Sequence, residues 1–276
     1  MNFKIIADSS SNVLSLTDVA FASVPLKINT ANGEYVDTPE LNVEAMVADL
    51  RTVKGRTYTS CPNVQEWQDA MRGSEGVFAV TITSGLSGSY STAVQAKNDL
   101  IADLPEKKIA VIDSLSAGPE LQLLIECMRD DVLAGKEFEE IEEHVRAYQK
   151  NTHLIFALES MTNLARNGRV NPLVAKLAGV LGIRVVGVAS EKGTLEVLHK
   201  PRGQEKTIKT IFDVMTEKGY NGGKVRIAHC FNEASAKQLE ARIKATFPHA
   251  DVELSLTTAL CSYYAEEGGL MIGFEG

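Results

Sequence analysis

Short polar stretches rich in serine, threonine and glycine are the residues of this chain best suited to chemistry. Four of them fit the places where strands are expected to end: Asp8-Ser9-Ser10, Thr59-Ser60-Cys61-Pro62, residues 83–89 and Asp113-Ser114. Hydroxyl groups donate hydrogen bonds to a carboxylate or a phosphate. In the third stretch, Gly85 and Gly88 allow a tight turn and a close approach of the backbone to a ligand. These residues predict an anion-binding site.

The stretch from Ser84 to Ser89 carries the most information. A helix is predicted to begin at about residue 89, with Ser87 as its N-cap. Its free N–H groups and the positive end of its dipole would then face the loop. Ser84, Ser87 and Gly88 could together hold a carboxylate or a phosphate. A capped turn without any ligand explains the same residues about equally well.

Three known catalytic motifs have no match in the sequence. The nucleophile elbow GxSxG would need glycine at position 89, where the chain has Ser89. The phosphate loop would need serine or threonine after Gly223-Lys224, but Val225 follows, and no GxGxxG follows a predicted strand. No motif pairs a histidine with a nucleophile. A hydrolase, an ATP-dependent enzyme and a dinucleotide enzyme therefore lack motif support.

The composition is that of a globular protein, since 44% of the 276 residues are hydrophobic and 23% are charged. The 28 basic and 36 acidic residues give a net charge of -8, which argues against a general nucleic-acid binder. Cys61, Cys127, Cys230 and Cys261 are far apart, so no metal site is expected. The N-terminus lacks a signal-peptide pattern and residues 180–189 are too few to span a bilayer, which predicts a cytoplasmic protein.

Apolar runs that alternate with amphipathic stretches predict an α/β fold. In the first half, strands are expected at residues 3–7, 77–82 and 109–112, and helices at 43–53, 64–72, 89–102, 121–133 and 138–150. Asn63 is the expected N-cap of the second helix. The strands are compact and apolar, which is typical of a mostly parallel sheet flanked by helices. Because the carboxyl ends of parallel strands meet at one edge, the four polar stretches should gather there.

The second half predicts a smaller α/β domain with a mixed sheet. We place the boundary near Thr152, which gives an N-terminal domain of residues 1–152 and a C-terminal domain of residues 153–276. Strands are expected at 154–158, 183–189, 195–199, 225–230, 252–254 and 270–274. Helices are expected at 206–218 and 234–246, with a small-residue helix after the loop at 166–172. The turn residues Lys192-Gly193 predict a hairpin, so antiparallel and crossover connections should coexist.

Six motifs, in this order, resemble those of the DegV family. They are FKIIADSS at residues 3–10, TSCP at 59–62, VTITSGLSGSY at 80–90, VIDS at 111–114, NLARNGRV at 163–170 and KPRG at 200–203. Each motif is weak alone, but the ordered set covers essentially the whole chain. The resemblance implies a lipid-binding protein without a cofactor, not an enzyme, that holds a long-chain fatty acid in a tunnel between two α/β domains. Some members present the fatty acid to a separate kinase, and peripheral or transient contact with a membrane fits that role.

The resemblance also implies which residues contact the ligand or a partner. Thr59 and Ser87 match the family's carboxylate-binding hydroxyls, and Ser60, Cys61, Ser84 and Gly88 surround them. Arg169, in the glycine–arginine loop, is expected near the head group, and Arg202, in KPRG, at the encounter with the kinase. A plain salt bridge explains either arginine almost as well.

The chain departs from the family pattern at two places. Cys61 stands where the family usually has glutamine, and it is expected to be a small buried residue. Tyr264 stands at the family's histidine, and residues 266–268 stand at its Gly-Pro-Gly. Tyr264 can donate one hydrogen bond but carries no positive charge at neutral pH. Glu266 and Glu267 would repel an anion unless they point outward.

Three functions follow from these residues. The first is fatty-acid binding; the second is a serine-dependent acyl hydrolase or transferase that uses Ser87; the third is a sensor of another small carboxylate or phosphate with a short pocket. Burial of about 15 methylenes contributes on the order of 12 kcal/mol gross. One hydrogen bond to a carboxylate contributes only about 1.5–3 kcal/mol. An acyl tail would therefore determine the affinity, and the polar loop the orientation.

Overall fold

Two main β-sheets with helices packed on them form the fold in a computed structural model that describes residues 2–176, 178 and 182–276. In chain order the strands are β1 Phe3–Asp8, β2 Ala20–Val24, β3 Lys27–Thr30, β4 Gly33–Val36, β5 Tyr58–Ser60, β6 Gly76–Thr81, β7 Lys108–Asp113, β8 Thr152–Leu158, β9 Val185–Ala189, β10 Leu195–His199, β11 Val225–His229, β12 Val252–Leu256 and β13 Leu270–Glu275. The helices are α1 Val43–Leu50, α2 Val64–Met71, α3 Ser89–Asp103, α4 Pro119–Leu133, α5 Phe138–Tyr148, α6 Thr162–Arg166, α7 Pro172–Ala175, α8 Gln204–Glu217, α9 Glu233–Thr246 and α10 Ala259–Ala265. Short 3-10 turns occupy Ser9–Ser11 and Gln149–Asn151.

The first sheet is parallel and has the strand order β2-β1-β6-β7. Every residue of β6 is buried because helices α4 and α5 cover one face of the sheet and α2 and α3 the other. From β1 the chain continues to β2 at one edge of the sheet, and from β6 it continues to β7 at the opposite edge. Such a reversal opens a crevice at the carboxyl ends of β1 and β6. The predicted parallel sheet flanked by helices is confirmed.

The sequence does not predict the small antiparallel sheet, whose order is β4-β3-β5. Its strands have only three or four residues, too few for a periodic pattern to reveal them. Thr59 and Ser60 lie in β5, where Thr59 is opposite Ile28. The prediction that these two residues follow a strand of the parallel sheet is therefore wrong. The small sheet nevertheless brings them to the crevice, because they line the same cavity as Ser10 and Ile82.

The second sheet is mixed and has the order β10-β9-β8-β13-β11-β12. Its β11–β12 pair is parallel, and the other four pairs are antiparallel. The predicted hairpin of β9 and β10 is confirmed, as is the mixed character of the sheet. Side chains of β8 alternate between its faces. Ile155 and Ala157 pack into the core with α8 and α9, while Leu154, Phe156 and Leu158 face the opposite way.

Helix α10 extends from the second half of the chain into the first, where it packs on α1 and β3. Nearly all of its seven residues are buried, so it has no amphipathic period that could predict it. Asp37 accepts hydrogen bonds from the N–H groups of Ala259 at 2.9 Å and Leu260 at 3.0 Å. The hydroxyl groups of Tyr263 and Thr57 lie 2.7 Å apart. These contacts hold α10 firmly at the junction of the two halves.

Helix α4 contacts both main sheets. Its apolar face packs against β1, β6 and β7, and Glu126 on the other side forms a bidentate ion pair, at 2.7 Å and 2.7 Å, with Arg226 of β11. The division of the chain at residue 152 stays a prediction. The small-residue helix predicted after residue 172 begins as α7, but its remainder includes residues 177 and 179–181, outside the described part. Among the described residues, no helix has the length and apolar character that a membrane span requires.

Candidate functional site

A cavity of about 280 Å³ lies between the two halves of the chain. It sits where the crevice at the ends of β1 and β6 faces the second sheet and α10. Seven of the predicted contact residues line it: Thr59, Ser60, Cys61, Ser87, Gly88, Arg169 and Tyr264. Its size is close to the lower limit of ligand pockets, roughly 300–1,000 Å³. The contact of these residues with a ligand stays a prediction.

Strand β8 contributes three side chains to the apolar wall of the cavity. Leu154, Phe156 and Leu158 occupy alternate positions, so their side chains share the face that points away from α8 and α9. Further apolar side chains come from other elements and close the wall: Leu26, Ile82, Leu164, Leu195, Leu260 and Met271. The sequence shows residues 154–158 as one continuous apolar run. It cannot reveal which of them face a cavity and which face the core.

A pair of hydroxyl groups forms part of the polar wall. Thr59 Oγ1 and the Tyr264 hydroxyl lie 2.6 Å apart, and either can be the donor. The pair joins β5 to α10, and therefore joins the two halves of the chain. Burial raises the pKa of Tyr264 above its ordinary value, and the hydrogen bond with Thr59 opposes this only in part. Tyr264 therefore remains a neutral phenol that can donate to an anion.

The loop before α3 approaches this pair from the parallel sheet. Gly88, not Ser87, is the N-cap of α3, although the Ser87 hydroxyl accepts from the Ser89 N–H at 3.2 Å. A Cβ atom at Gly88 would lie 3.3 Å from Cys61 Sγ, so the missing side chain lets the loop pack on the segment that follows β5. Ser84 is exposed and does not line the cavity. Its N–H donates to Asp113 at 3.1 Å, and the lining of the cavity gives no support to its predicted place beside the ligand.

Gly85 lets the backbone of the β9–β10 hairpin, and not a ligand, come close to the loop before α3. A Cβ atom there would lie 3.0 Å from the Lys192 carbonyl oxygen, at the tip of the β9–β10 hairpin. At the same tip, Gly193 has a φ of 70°, and a Cβ atom would lie 1.9 Å from Thr83 Oγ1. Both glycines are thus needed where the second half of the chain packs on the loop of the first.

Arg169 provides a positive charge at the polar wall. Its Nε donates to the Leu86 carbonyl oxygen at 3.0 Å, and its Nη1 donates to the Asn167 carbonyl oxygen. These bonds tie the loop after α6 to the loop that carries Ser87. Asn167 and Asn163 in turn donate to the Tyr263 hydroxyl and the Tyr263 carbonyl oxygen, at 2.9 Å and 2.8 Å. The NLARNGRV motif therefore supports α10 as well as the arginine.

Asp8 organises the polar wall without lining the cavity. It is fully buried and accepts hydrogen bonds from Ser10 Oγ, from Ser89 Oγ at 2.6 Å and from the Ile82 N–H at 2.9 Å. Burial raises its pKa above the ordinary value in spite of these bonds. One carboxylate thus joins the end of β1 to the end of β6 and to the start of α3. The sequence reveals Asp8 only as part of a polar stretch.

Cys61 is a neutral thiol, half-buried in the cavity wall. Burial raises its pKa above the ordinary value, and hydrogen bonds from the backbone of Cys61 and Gly88 oppose this only in part. Because the thiolate is the reactive form of cysteine, this environment disfavours nucleophilic chemistry at Cys61. The expectation that Cys61 is buried is met only in part, since its side chain stays accessible from the cavity.

Glu120 lies in a second and more polar cleft, together with Thr152 and His153, and Leu154 lines both this cleft and the cavity. It is 5% exposed, and its Oε1 accepts from Thr152 Oγ1 at 2.9 Å. Burial raises its pKa from 4.5 to about 7. Between these two values the folded protein keeps a proton that the unfolded chain has lost, so the stability falls as the pH rises through this window.

Removal of this carboxyl group should flatten the dependence of stability on pH. We expect the free energy of unfolding of the unaltered protein to lose roughly 2.5 kcal/mol relative to Glu120→Gln between pH 5 and pH 8. Urea unfolding at intervals from pH 5 to pH 8 measures the difference. Glu143→Gln, at an exposed glutamate of α5, is the matched control and should follow the unaltered protein. Parallel curves for Glu120→Gln and the unaltered protein would refute the assignment.

A family model described as "Uncharacterised protein, DegV family" matches residues 2–275. The chain belongs to the DegV family. A DegV domain-containing protein of Streptococcus pneumoniae, strain R6, is 43% identical, and the match covers all of this chain and 99% of that protein. A second one, from Streptococcus pyogenes serotype M18, is 41% identical over the full length of both. The resemblance predicted from six ordered motifs is thus confirmed.

Two solved DegV structures are very similar to this one. The fatty acid kinase (Fak) B3 protein of Streptococcus pneumoniae, loaded with linoleic acid, has 43% identity and a TM-score of 0.98, with coverage of 100% of this chain and 99% of that chain. A DegV family protein from Eubacterium eligens, loaded with heptadecanoic acid, has 40% identity and a TM-score of 0.96, with coverage of 99% of both chains. The predicted architecture is therefore that of the DegV family.

Glu266 and Glu267, which depart from the DegV pattern, have partners outside the cavity. Glu266 accepts a hydrogen bond from the Asn163 N–H at 2.9 Å, and Glu267 forms an ion pair with Arg51. Neither glutamate lines the cavity, so neither faces a bound anion there. Arg202 is exposed just before α8, in an isolated bridge with Ile183. Its role in a kinase encounter stays a prediction.

Proposed function

We propose that this chain binds one long-chain fatty acid, with the acyl tail along β8 and the carboxylate beside Thr59, Ser87 and Arg169. The observation that supports this most directly is the division of the cavity into an apolar and a polar wall. The polar groups are held by hydrogen bonds, between Thr59 and Tyr264 and between Arg169 and the Leu86 carbonyl oxygen. The DegV relatives loaded with linoleic and heptadecanoic acids support the same ligand class.

The energetics agree with a ligand that is mostly hydrocarbon. Each buried methylene contributes about 0.8 kcal/mol, so the tail supplies most of the binding free energy. The loss of translational and rotational freedom offsets part of this gain. Neutral hydroxyls and one guanidinium then select a carboxylate head. The described residues that line the cavity include no histidine, the usual base for a serine nucleophile. This disfavours the acyl hydrolase, and the extent of the apolar wall disfavours a sensor of small anions.

A ligand-charge experiment tests the proposed position of the carboxylate. Delipidated protein should bind a long-chain fatty acid more tightly than the fatty alcohol of equal length, because the alcohol cannot form a charge-assisted bond with Arg169. Arg169→Ala should weaken acid binding roughly 10- to 100-fold, which corresponds to about 1.5–3 kcal/mol, and should leave alcohol binding nearly unchanged. Isothermal titration calorimetry measures the four dissociation constants, those of the unaltered protein and of Arg169→Ala for the acid and for the alcohol.

Arg166→Ala is the matched control, because Arg166 is exposed in the same segment. It should bind both ligands like the unaltered protein. Equal losses of acid and alcohol binding in Arg169→Ala would mean that the arginine only holds the loop. Failure of the delipidated protein to bind either ligand would refute the proposed function itself.

The proposal includes presentation of the bound carboxylate to a separate fatty acid kinase in the cytoplasm. The support is the identity of 43% with the fatty acid kinase B3 protein of Streptococcus pneumoniae. All four cysteines are free, which suits a reducing compartment. Arg202 is the proposed contact with the kinase. Formation of acyl phosphate from ATP and the bound fatty acid, measured with a purified kinase, tests this step, and Arg202→Ala should slow it without weakening fatty-acid binding.

A further inference from the structure

Three side chains suited to binding a metal converge on the helix pair α4–α5, away from the cavity. Cys127 and Asp131 are four residues apart on α4 and therefore lie on one face of that helix. His144 on α5 faces them. The thiol, one carboxylate oxygen and one ring nitrogen all lie within 4.8 Å of one another. Cys127 and Asp131 are buried, while the His144 side chain is about half exposed.

The Nδ1 atom of His144 contacts both of the other side chains. His144 Nδ1 lies 2.6 Å from Asp131 Oδ2 and 3.6 Å from Cys127 Sγ. One ring nitrogen either carries a proton and donates it or lacks a proton and accepts one. If Nδ1 donates to the carboxylate, it cannot accept from the thiol. The protein groups alone therefore leave one of the two contacts poorly satisfied, whereas a cation would satisfy all three ligands at once.

One of the two distances at this cluster matches the dimensions of a zinc site. Zinc binds sulfur at about 2.3 Å and imidazole nitrogen at about 2.0–2.1 Å, so a tetrahedral ion separates these two atoms by about 3.6 Å. The observed distance between Sγ and Nδ1 is 3.6 Å. The nitrogen and the carboxylate oxygen, now 2.6 Å apart, would have to separate to about 3.4 Å. Binding of the ion would therefore require the half-exposed imidazole to move away from the Asp131 carboxylate.

The surroundings already orient one ligand. Lys136 binds the other carboxylate oxygen of Asp131, Oδ1, and so turns Oδ2 towards the cluster. Outer partners of this kind commonly hold carboxylate ligands in metal sites. The exposed side of His144 leaves room for water as a fourth ligand, which is usual where a protein supplies three.

We propose that Cys127, Asp131 and His144 bind one divalent transition-metal ion of the zinc type and thereby join α4 to α5. The thiol loses its proton to solvent on binding, so that the ion is held by a thiolate, an imidazole and a carboxylate. The motifs of the sequence do not reveal such a site, because its ligands come from two helices and lie 4 and 13 residues apart. Zinc and cobalt bind similar ligand sets, and cobalt reports on its ligands by absorption.

The test is a titration of the metal-free full-length protein with Co²⁺, followed by absorption spectroscopy and then by displacement with Zn²⁺. An equimolar endpoint is expected, with a near-ultraviolet charge-transfer band from a cobalt–thiolate bond. Cys127→Ala should abolish this band. His144→Gln, which changes a half-exposed side chain and should leave the fold intact, should weaken Zn²⁺ binding more than about tenfold, since even outer partners contribute 10- to 100-fold.

Cys230→Ala and His249→Asn are matched controls that should leave the titration unchanged, since neither residue belongs to the cluster. Zn²⁺ should also raise the melting temperature of the unaltered protein and not that of His144→Gln. The proposal fails if no charge-transfer band forms at equimolar Co²⁺, or if the band persists in Cys127→Ala. In either case His144 and Asp131 form only a hydrogen bond.

Discussion

Replacement of Leu195 by tryptophan should release the fatty acid from the purified protein. Leu195 is partly buried at the edge strand β10 and lines the cavity. Tryptophan is larger by roughly six non-hydrogen atoms, so Leu195→Trp should displace about five methylenes at about 0.8 kcal/mol each. A loss of about 4 kcal/mol weakens binding roughly 1,000-fold. Organic extraction followed by lipid mass spectrometry should find nearly one fatty acid per chain in the unaltered protein and little in the variant.

The same strand offers the matched control. Leu198 is 39% exposed and does not line the cavity. Leu198→Trp introduces the same ring into β10 without filling the cavity, so it should retain the fatty acid. Circular dichroism and thermal melting check that both variants are folded. Equal lipid content in the two variants would mean that the acyl tail does not pass Leu195, and an unaltered protein without lipid would count against the whole assignment.

The elements that sequence analysis predicted are those whose environment is uniform along their length. Strand β6 is buried on both faces, and its continuous apolar run is therefore visible in the sequence. The β9–β10 hairpin has a glycine in its connection with a φ of 70°, which explains the turn signal. The N-cap at Asn63 is likewise local, since its side chain accepts from the Glu66 N–H. Elements of this kind can be predicted from the residues of the segment itself.

The rest depends on contacts between distant segments. Helix α10 is held by Asp37, more than two hundred residues earlier in the chain, and no local pattern reveals it. The apolar wall follows from which face of β8 meets α8 and α9, a property of the whole sheet. The resemblance to the family indicates Thr59 and Ser87, but the small antiparallel sheet that brings Thr59 to the cavity is not predicted by the sequence. Ser84, in the same motif as Ser87, is exposed, and its N–H donates to Asp113.

The predicted effect of Asp8→Ala follows from one such long-range contact. Asp8 accepts from Ser10, Ile82 and Ser89, and its replacement leaves three buried donors without their partner. Each unsatisfied buried donor costs about 1–3 kcal/mol, and some relaxation with water reduces the total. We expect the free energy of unfolding to fall by about 4 kcal/mol, measured by urea denaturation. The loop that carries Ser87 should lose its position as well, so the variant should retain less fatty acid.

Asp113→Ala is the control, because it also removes a carboxylate at the end of a strand but not a buried one. Asp113 ends β7, beside β6, as Asp8 ends β1, and it accepts from the N–H groups of Ser84 and Leu115, but it is partly exposed. Water can replace the lost acceptor there, so the expected loss is only about 1 kcal/mol. Asp8→Asn keeps the size of the side chain and one acceptor oxygen, and it should lie between the two alanine variants. A loss for Asp8→Ala no larger than that for Asp113→Ala would show that burial of the Asp8 hydrogen bonds contributes little. The polar wall would then be held mainly by the contacts of α10 and Arg169.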